Sequence, residues 1–194
     1  MRLPLLLPAD LTVEQHALYD DMRRGIAGGF SAFKVVREDG ALMGPWNPYL
    51  HEPKIGKATW DLTEAINQMA TLPRAVREIA ILVVGARYKA SFAIYAHVAV
   101  GQSLGISLEH LATISSALKP TGFANDESVA YDIAHSLCAG SALPEPLYRL
   151  GVTTFGQRGM NEMIYIVGLY SMIAITLNAF NVPVPELNEL NICR

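Results

Sequence analysis

Among the titratable residues of this 194-residue chain, Glu78 and His97 have the types and the spacing for proton chemistry. A carboxylate behind an imidazole fixes its tautomer and stabilises its charged form, which is how a histidine becomes a general acid or base. Glu78 lies eleven residues before Lys89, where the chain is expected to reverse, and His97 lies eight after it. At a rise of about 1.5 Å per residue, an antiparallel helical hairpin puts the two within roughly 5 Å of the same height. The six residues after Glu78, from Ile79 to Val84, are apolar, so the carboxylate faces an interior where an unpaired charge is costly. Two plainer readings compete. Glu78 can pair with Arg74 one turn earlier, a surface contact of a few tenths of a kcal/mol, and His97 can be a hydrogen-bonded core histidine. Ala90, Ala93 and Gly101 lie seven before, four before and four after His97, on its helix face. Small residues there leave room for a ligand or for a tightly packed neighbouring helix.

The elements that must position this pair are helical. Thr12 is an N-cap candidate with Gln15 at the capping-box position, opening a helix that Gly25, Gly28 and Gly29 close. The stretch from Ser31 to Lys57, with GPWNPYLHEPKIG, reads as an ordered loop packed by Trp46, Tyr49 and Leu50. Long ordered loops are usually binding loops or lids; an arm covering a neighbouring subunit is the equal alternative. A helix then resumes after Gly56 and runs toward Pro73, and Pro73 starts the buried helix that carries Glu78. Lys89 to Leu104 forms the next helix, Ser107 opens a short one, and Asn125 or Asp126 caps the following one. Helices from Pro144 to Gly156 and from Gln157 to Ala179 come last, before the tail NVPVPELNELNICR. No alternating strands or hairpin turns are expected. The fold class is therefore an all-α helical bundle, one structural unit with an N-terminal helix and arm over residues 1–57 and a helical domain over 58–194.

Composition narrows the function. A hydrophobic share of 51% with only 17% charged residues excludes intrinsic disorder. A net charge of −3 supports neither nucleic-acid binding nor a basic membrane patch. Positive mean hydropathy, +0.25, exceeds what one small globule readily buries and favours a homo-oligomer. The run NEMIYIVGLYSMIAITLNAF is long enough to span a bilayer, but it lacks flanking basic clusters and reads better as a helix buried all round. The expected location is the cytoplasm. No glycine-rich phosphate loop and no GxSxG elbow is present, so no cofactor is expected. His135 and Cys138 share a helix face, yet a pair without further ligands is more often a packed histidine beside a buried thiol, and no metal site is expected.

The segment REIAILVVGARYKASFAIYAHVAVGQSLGIS, from Arg77 to Ser107, resembles the core of the carboxymuconolactone decarboxylase-like family within the alkylhydroperoxidase D-like superfamily. The likeness extends through YDIAHSL, RLGVTTFGQRGMNEMIYIVGLY, ITLNAFNVPVP and the GPWNPYLHEP loop. It implies an all-α fold, assembly as a homotrimer or homohexamer, and functional roles for Glu78 and His97. Peroxidase members carry a CxxC motif where this chain has Ala90 and Ala93, with Phe92 at the histidine sometimes found between the cysteines. Thiol peroxide reduction needs a thiolate and a resolving thiol, and the remaining Cys138 and Cys193 lie outside the motif. Decarboxylase-like relatives often have a Tyr-Glu-Trp run before the histidine, whereas Phe92-Ala93-Ile94 stands here, giving a more apolar pocket.

These residues lead to an expected acid–base lyase, decarboxylase or isomerase acting on a small carbonyl or lactone compound. His97 moves the proton and Glu78 orients it. Trp46, Tyr49 and His51 are candidate pocket walls, with Tyr95 and Ala93 beside them, and Arg74 is a candidate for binding a substrate carboxylate; Arg77 and Arg87 share that possibility. Peroxidase-type antioxidant activity through Cys138 or Cys193, and a ligand-binding scaffold without catalysis, are the alternatives.

Overall fold

The run from Ile79 to Val84 is apolar on every side, and the chain buries it by surrounding it. The computed structural model describes residues 1–29 and 31–185. Within them lie α1 (Val13–Gly29), α2 (Trp46–His51), α3 (Pro53–Met69), α4 (Arg74–Tyr88), α5 (Ser91–Ser103), α6 (Leu108–Ser115), α7 (Asn125–Cys138) and α8 (Glu145–Ala179). Helix α4 is the axis of the bundle and packs against α5, α6, α7 and α8. Ile79, Ala80, Leu82 and Val84 are fully buried along it. The β-branched residues that also suit a strand are helical here because every face meets another helix.

Local signals set most helix ends. Thr12 Oγ1 accepts the Gln15 N–H at 3.4 Å while Gln15 Oε1 accepts the Thr12 N–H at 2.9 Å, the reciprocal pair that closes a helix start. Ser107 caps α6 by accepting the His110 N–H. The cap of α7 differs from the Asn125 or Asp126 expected: Asn125 is already helical, Ala124 is the cap, and the Glu127 carboxylate reaches back to its N–H at 2.9 Å. The reversal at Lys89 is tight. Lys89 takes a left-handed backbone (φ 53°) and the Ala90 N–H bonds the Gly85 carbonyl at 2.9 Å, so α5 returns directly along α4. Gly156 (φ 69°, ψ 169°) interrupts α8, a conformation suited to glycine and the break expected there.

The segment from Ser31 to Lys57 corrects the expected continuous loop. Residues Trp46–His51 form α2, and Pro53 starts α3 at a first-turn position, so Gly56 and residue 57 lie inside a helix. An isolated antiparallel bridge joins Val36 to Leu42, although no hairpin was expected. The extreme N-terminus straps this region down. Buried Asn47 accepts the Leu6 N–H at 3.0 Å and donates to the Pro4 carbonyl at 3.1 Å, while Arg2 bonds the Phe180 carbonyl beyond α8.

Helix α8 is, among the described residues, the one long and apolar enough to cross a membrane, and half of its most apolar window is buried inside the bundle. Its buried Glu162 has a structural task. Oε2 accepts the N–H groups of Thr71 and Leu72 at 2.8 and 3.1 Å, and Oε1 lies 3.4 Å from Arg77 Nε. The carboxylate thus ties the α3–α4 turn to α8 and seats the start of the helix that carries Glu78. Replacing it by alanine strands two amides and removes the counter-charge of a largely buried guanidinium. Glu162→Ala is expected to lose about 3–5 kcal/mol of unfolding free energy, measured by urea denaturation; a loss below about 1 kcal/mol refutes the clamp.

Candidate functional site

Because α5 doubles back along α4, residues nineteen apart in sequence become neighbours. His97 Nδ1 lies 2.7 Å from Glu78 Oε2, and the two side chains are only 11% and 13% exposed. This contact replaces the alternative pairing of Glu78 with Arg74. With Nδ1–H donated to the carboxylate, the neutral imidazole presents Nε2 as its free base. No protein group among the described residues bonds that nitrogen.

The imidazole stands between two cavities. On one side is a narrow, mostly apolar one of about 40 Å³, walled by Trp46 and Tyr49 of α2, Trp60 and Thr63 of α3, Phe92, Ala93 and Ala96 of α5, and Tyr170, Ile173 and Leu177 of α8. On the other is a wider polar cleft of about 500 Å³, where Arg74, Arg77, Glu64 and Asn67 meet Glu78. His97 and Tyr170 line both. Their rings meet edge to face with centroids 5.0 Å apart, so the pair forms the partition between an aromatic chamber and a charged one.

The site residues read from the sequence separate into three groups. Trp46, Tyr49, Ala93 and His97 share the aromatic cavity. Arg74 lies in the polar cleft, exposed and with no ion pair among the described residues, whereas Arg77 is occupied by Glu162 and Asn67. Tyr95 and His51 are corrections, because neither lines either cavity. Two positions from His97, Tyr95 emerges on another face of α5. Its hydroxyl accepts the Lys34 N–H, and its ring supports Phe33 and Phe92 edge-on. His51 ends α2 and its Nε2 donates to the Pro4 carbonyl at 2.9 Å, so it belongs to the N-terminal strap.

Tyr170 is the principal residue that sequence reasoning missed. Ile166, Tyr170, Ile173 and Leu177 recur on one face of α8, and that periodicity was the signal available. Burial pushes the phenols of Tyr49 and Tyr170 well up, and the charge of Glu78 adds to the effect at Tyr170, so both remain neutral hydrogen-bond donors. Cys138 sits half-buried on α7 outside both cavities; burial raises its thiol and the Arg87 charge only partly offsets this, the reverse of an activated nucleophile. Cys193 lies outside the described residues. Among those residues no three metal-ligating side chains converge.

No protein-family model matches the chain, and no curated protein matches its sequence significantly. Solved structures do match. The chain superposes on the debrominase Bmp8 in its apo form with a TM-score of 0.70, and on a cysteine-to-alanine variant in complex with 2,3,4-tribromopyrrole with a TM-score of 0.71. Sequence identity is 9% in both, over 93% of this chain and 90% of the other. This chain and Bmp8 share an all-α helical fold. At that identity the likeness establishes architecture alone.

The Tyr49 hydroxyl, buried without a hydrogen-bond partner among the described residues, sits at a cost. Tyr49→Phe is expected to raise unfolding free energy by about 1–3 kcal/mol, a gain of a few degrees in Tm by calorimetry. A clear fall in Tm instead shows that the hydroxyl is already satisfied within the protein.

Proposed function

We propose that this protein is an acid–base enzyme acting on a small conjugated carbonyl or lactone compound, as a decarboxylase, another lyase or an isomerase. The observation that carries the reading is the 2.7 Å contact between Glu78 and His97 at the wall of an aromatic cavity. Glu78 holds the ring and stabilises the imidazolium, leaving Nε2 to take a proton from carbon or return one to it. In a decarboxylation the same electron flow starts from a breaking carbon–carboxylate bond, and His97 then supplies the proton to the dienolate left behind. Arg74 in the adjoining cleft is the candidate partner for a carboxylate on such a substrate.

The alternatives receive less support. Ala90 and Ala93 leave no thiol beside His97, and Cys138 lies elsewhere with a raised thiol. An inert scaffold is disfavoured because the hydroxyl-bearing residues Tyr49 and Tyr170 join His97 in the lining of the otherwise apolar cavity. The Bmp8 structures support an enzyme-like bundle, and the bromopyrrole bound to one of them makes halogenated heteroaromatics a reasonable addition to a ligand screen.

The test starts with thermal-shift screening against lactones, muconate-like acids and quinones, which detects ligands by stabilisation. Proton transfer is then followed as deuterium uptake at C5 of 2(5H)-furanone in D₂O by NMR. Glu78→Gln and His97→Ala are expected to lower the enzymatic rate by about 10²–10⁴-fold. Full exchange in either folded variant defeats the acid–base assignment.

Assembly as a homotrimer or homohexamer belongs to the same proposal. Ile164, Tyr165, Met172 and Ile175 form an exposed apolar stripe on one face of α8, 38–59% accessible in the single chain. A second copy covering it resolves the apolar excess of the composition. Sedimentation equilibrium is expected to give a trimeric or hexameric mass, and Tyr165→Glu to lower it; a monomeric wild type contradicts this part.

A further inference from the structure

Two buried side-chain polar atoms lack a hydrogen-bond partner among the described residues, Glu162 Oε1 and Tyr49 Oη. The first still has the Arg77 guanidinium 3.4 Å away. The second has no partner, although Tyr49 is only 7% exposed and shares its cavity with His97. A buried hydroxyl left unsatisfied in a native structure requires an explanation, because it destabilises the fold that carries it.

The surroundings hold this hydroxyl in place. Asn47, one turn's fraction away on α2, anchors the helix to the N-terminal strap through two hydrogen bonds. On the opposite side α3 presents Gly56 to the Tyr49 backbone, where any Cβ would collide with the Tyr49 carbonyl oxygen. The Tyr49 backbone is therefore held in place, and its hydroxyl has no hydrogen-bond partner among the described residues. The rest of the cavity lining is overwhelmingly aromatic and aliphatic.

We infer that the Tyr49 hydroxyl is the donor that receives the substrate's carbonyl oxygen in the cavity it shares with the base His97, and that the site thereby selects small conjugated carbonyl compounds over equally shaped molecules without that oxygen. The inference rests on the acid–base reading of His97 and adds the oxygen-binding half of the site. With 2(5H)-furanone the step balances without any further reactant. Nε2 of His97 takes the C5 proton, and the C–H electron pair moves through the ring double bond to the carbonyl. The oxygen becomes the anion of furan-2-olate while accepting the Tyr49 O–H, and return of the proton restores the neutral lactone. A donor placed where negative charge develops in a water-poor site typically contributes about 10²–10³ in rate. At about 40 Å³ the cavity is smaller than the roughly 150 Å³ that holds benzene in a protein interior. Entry of a five-membered ring therefore requires the lining side chains to move, and larger ring systems are disfavoured.

The experiment compares 2(5H)-furanone with 2,5-dihydrofuran, which lacks only the carbonyl oxygen. Binding is measured by NMR titration and C5 exchange in D₂O, on the wild type, Tyr49→Phe and His97→Ala. Tyr49→Phe is expected to weaken furanone binding about tenfold and to slow exchange about 10²-fold, while dihydrofuran binds both proteins equally. Wild-type furanone affinity and exchange in Tyr49→Phe overturn the inference, and loss of exchange in His97→Ala then leaves the acid–base reading standing. Unchanged exchange in His97→Ala overturns that reading, and the tenfold furanone-specific loss in Tyr49→Phe still decides the role of Tyr49. No furanone preference over dihydrofuran in the wild type also overturns the inference.

Discussion

A carboxylate and an imidazole held 2.7 Å apart inside an apolar helix pair constrain much of the surrounding structure. In water such a contact is weak, because solvent screens it and competes for both groups. Here both side chains are nearly enclosed, so the carboxylate is satisfied by the histidine or left at a cost. That requirement sets the register of α5 on α4. A slip of one residue in the reversal at Lys89 rotates His97 by about 100° around its helix and separates the pair. The left-handed backbone of Lys89 and the Ala90-to-Gly85 hydrogen bond are thus part of the site, though they lie well away from it in sequence.

The remaining architecture braces this hairpin on two sides. Glu162 gathers the α3–α4 turn and Arg77 onto α8, which fixes where α4 begins. The N-terminal residues bind Asn47 and His51, which fixes α2 and with it the aromatic wall made by Trp46 and Tyr49. Both braces use buried or half-buried polar atoms whose partners come from distant parts of the chain. The result places one imidazole at the boundary of two environments, an aromatic cavity on one side and a cleft holding the exposed Arg74 on the other.

The fold likeness to Bmp8 at 9% identity shows how little sequence this architecture demands. On such an architecture the chemistry depends on the few side chains that meet at the site. In this chain the cavity beside the imidazole is walled by Phe92, Ala93 and Ala96 and carries hydroxyls contributed by other helices.

Most of the helices, their approximate limits, the break at Gly156 and the proximity of Glu78 to His97 were legible in the sequence alone. All of them follow from short-range rules: apolar periodicity, capping residues, glycine conformations and a fixed rise per residue across a short reversal. Trp46, Tyr49 and Ala93 could be named as cavity residues, whereas His51 and Tyr95 could not be separated from them, because a side chain's direction depends on helix phase and on partners far along the chain. The same limit hid α2 inside a proline-rich stretch, since its stability comes from the strap at Asn47 and from packing on α3. Tyr170 and Glu162 lay in an apolar run whose period was visible but whose neighbours were not. Only tertiary structure decides such positions, because a cavity and a buried polar bond are made jointly by segments that local physics treats as independent.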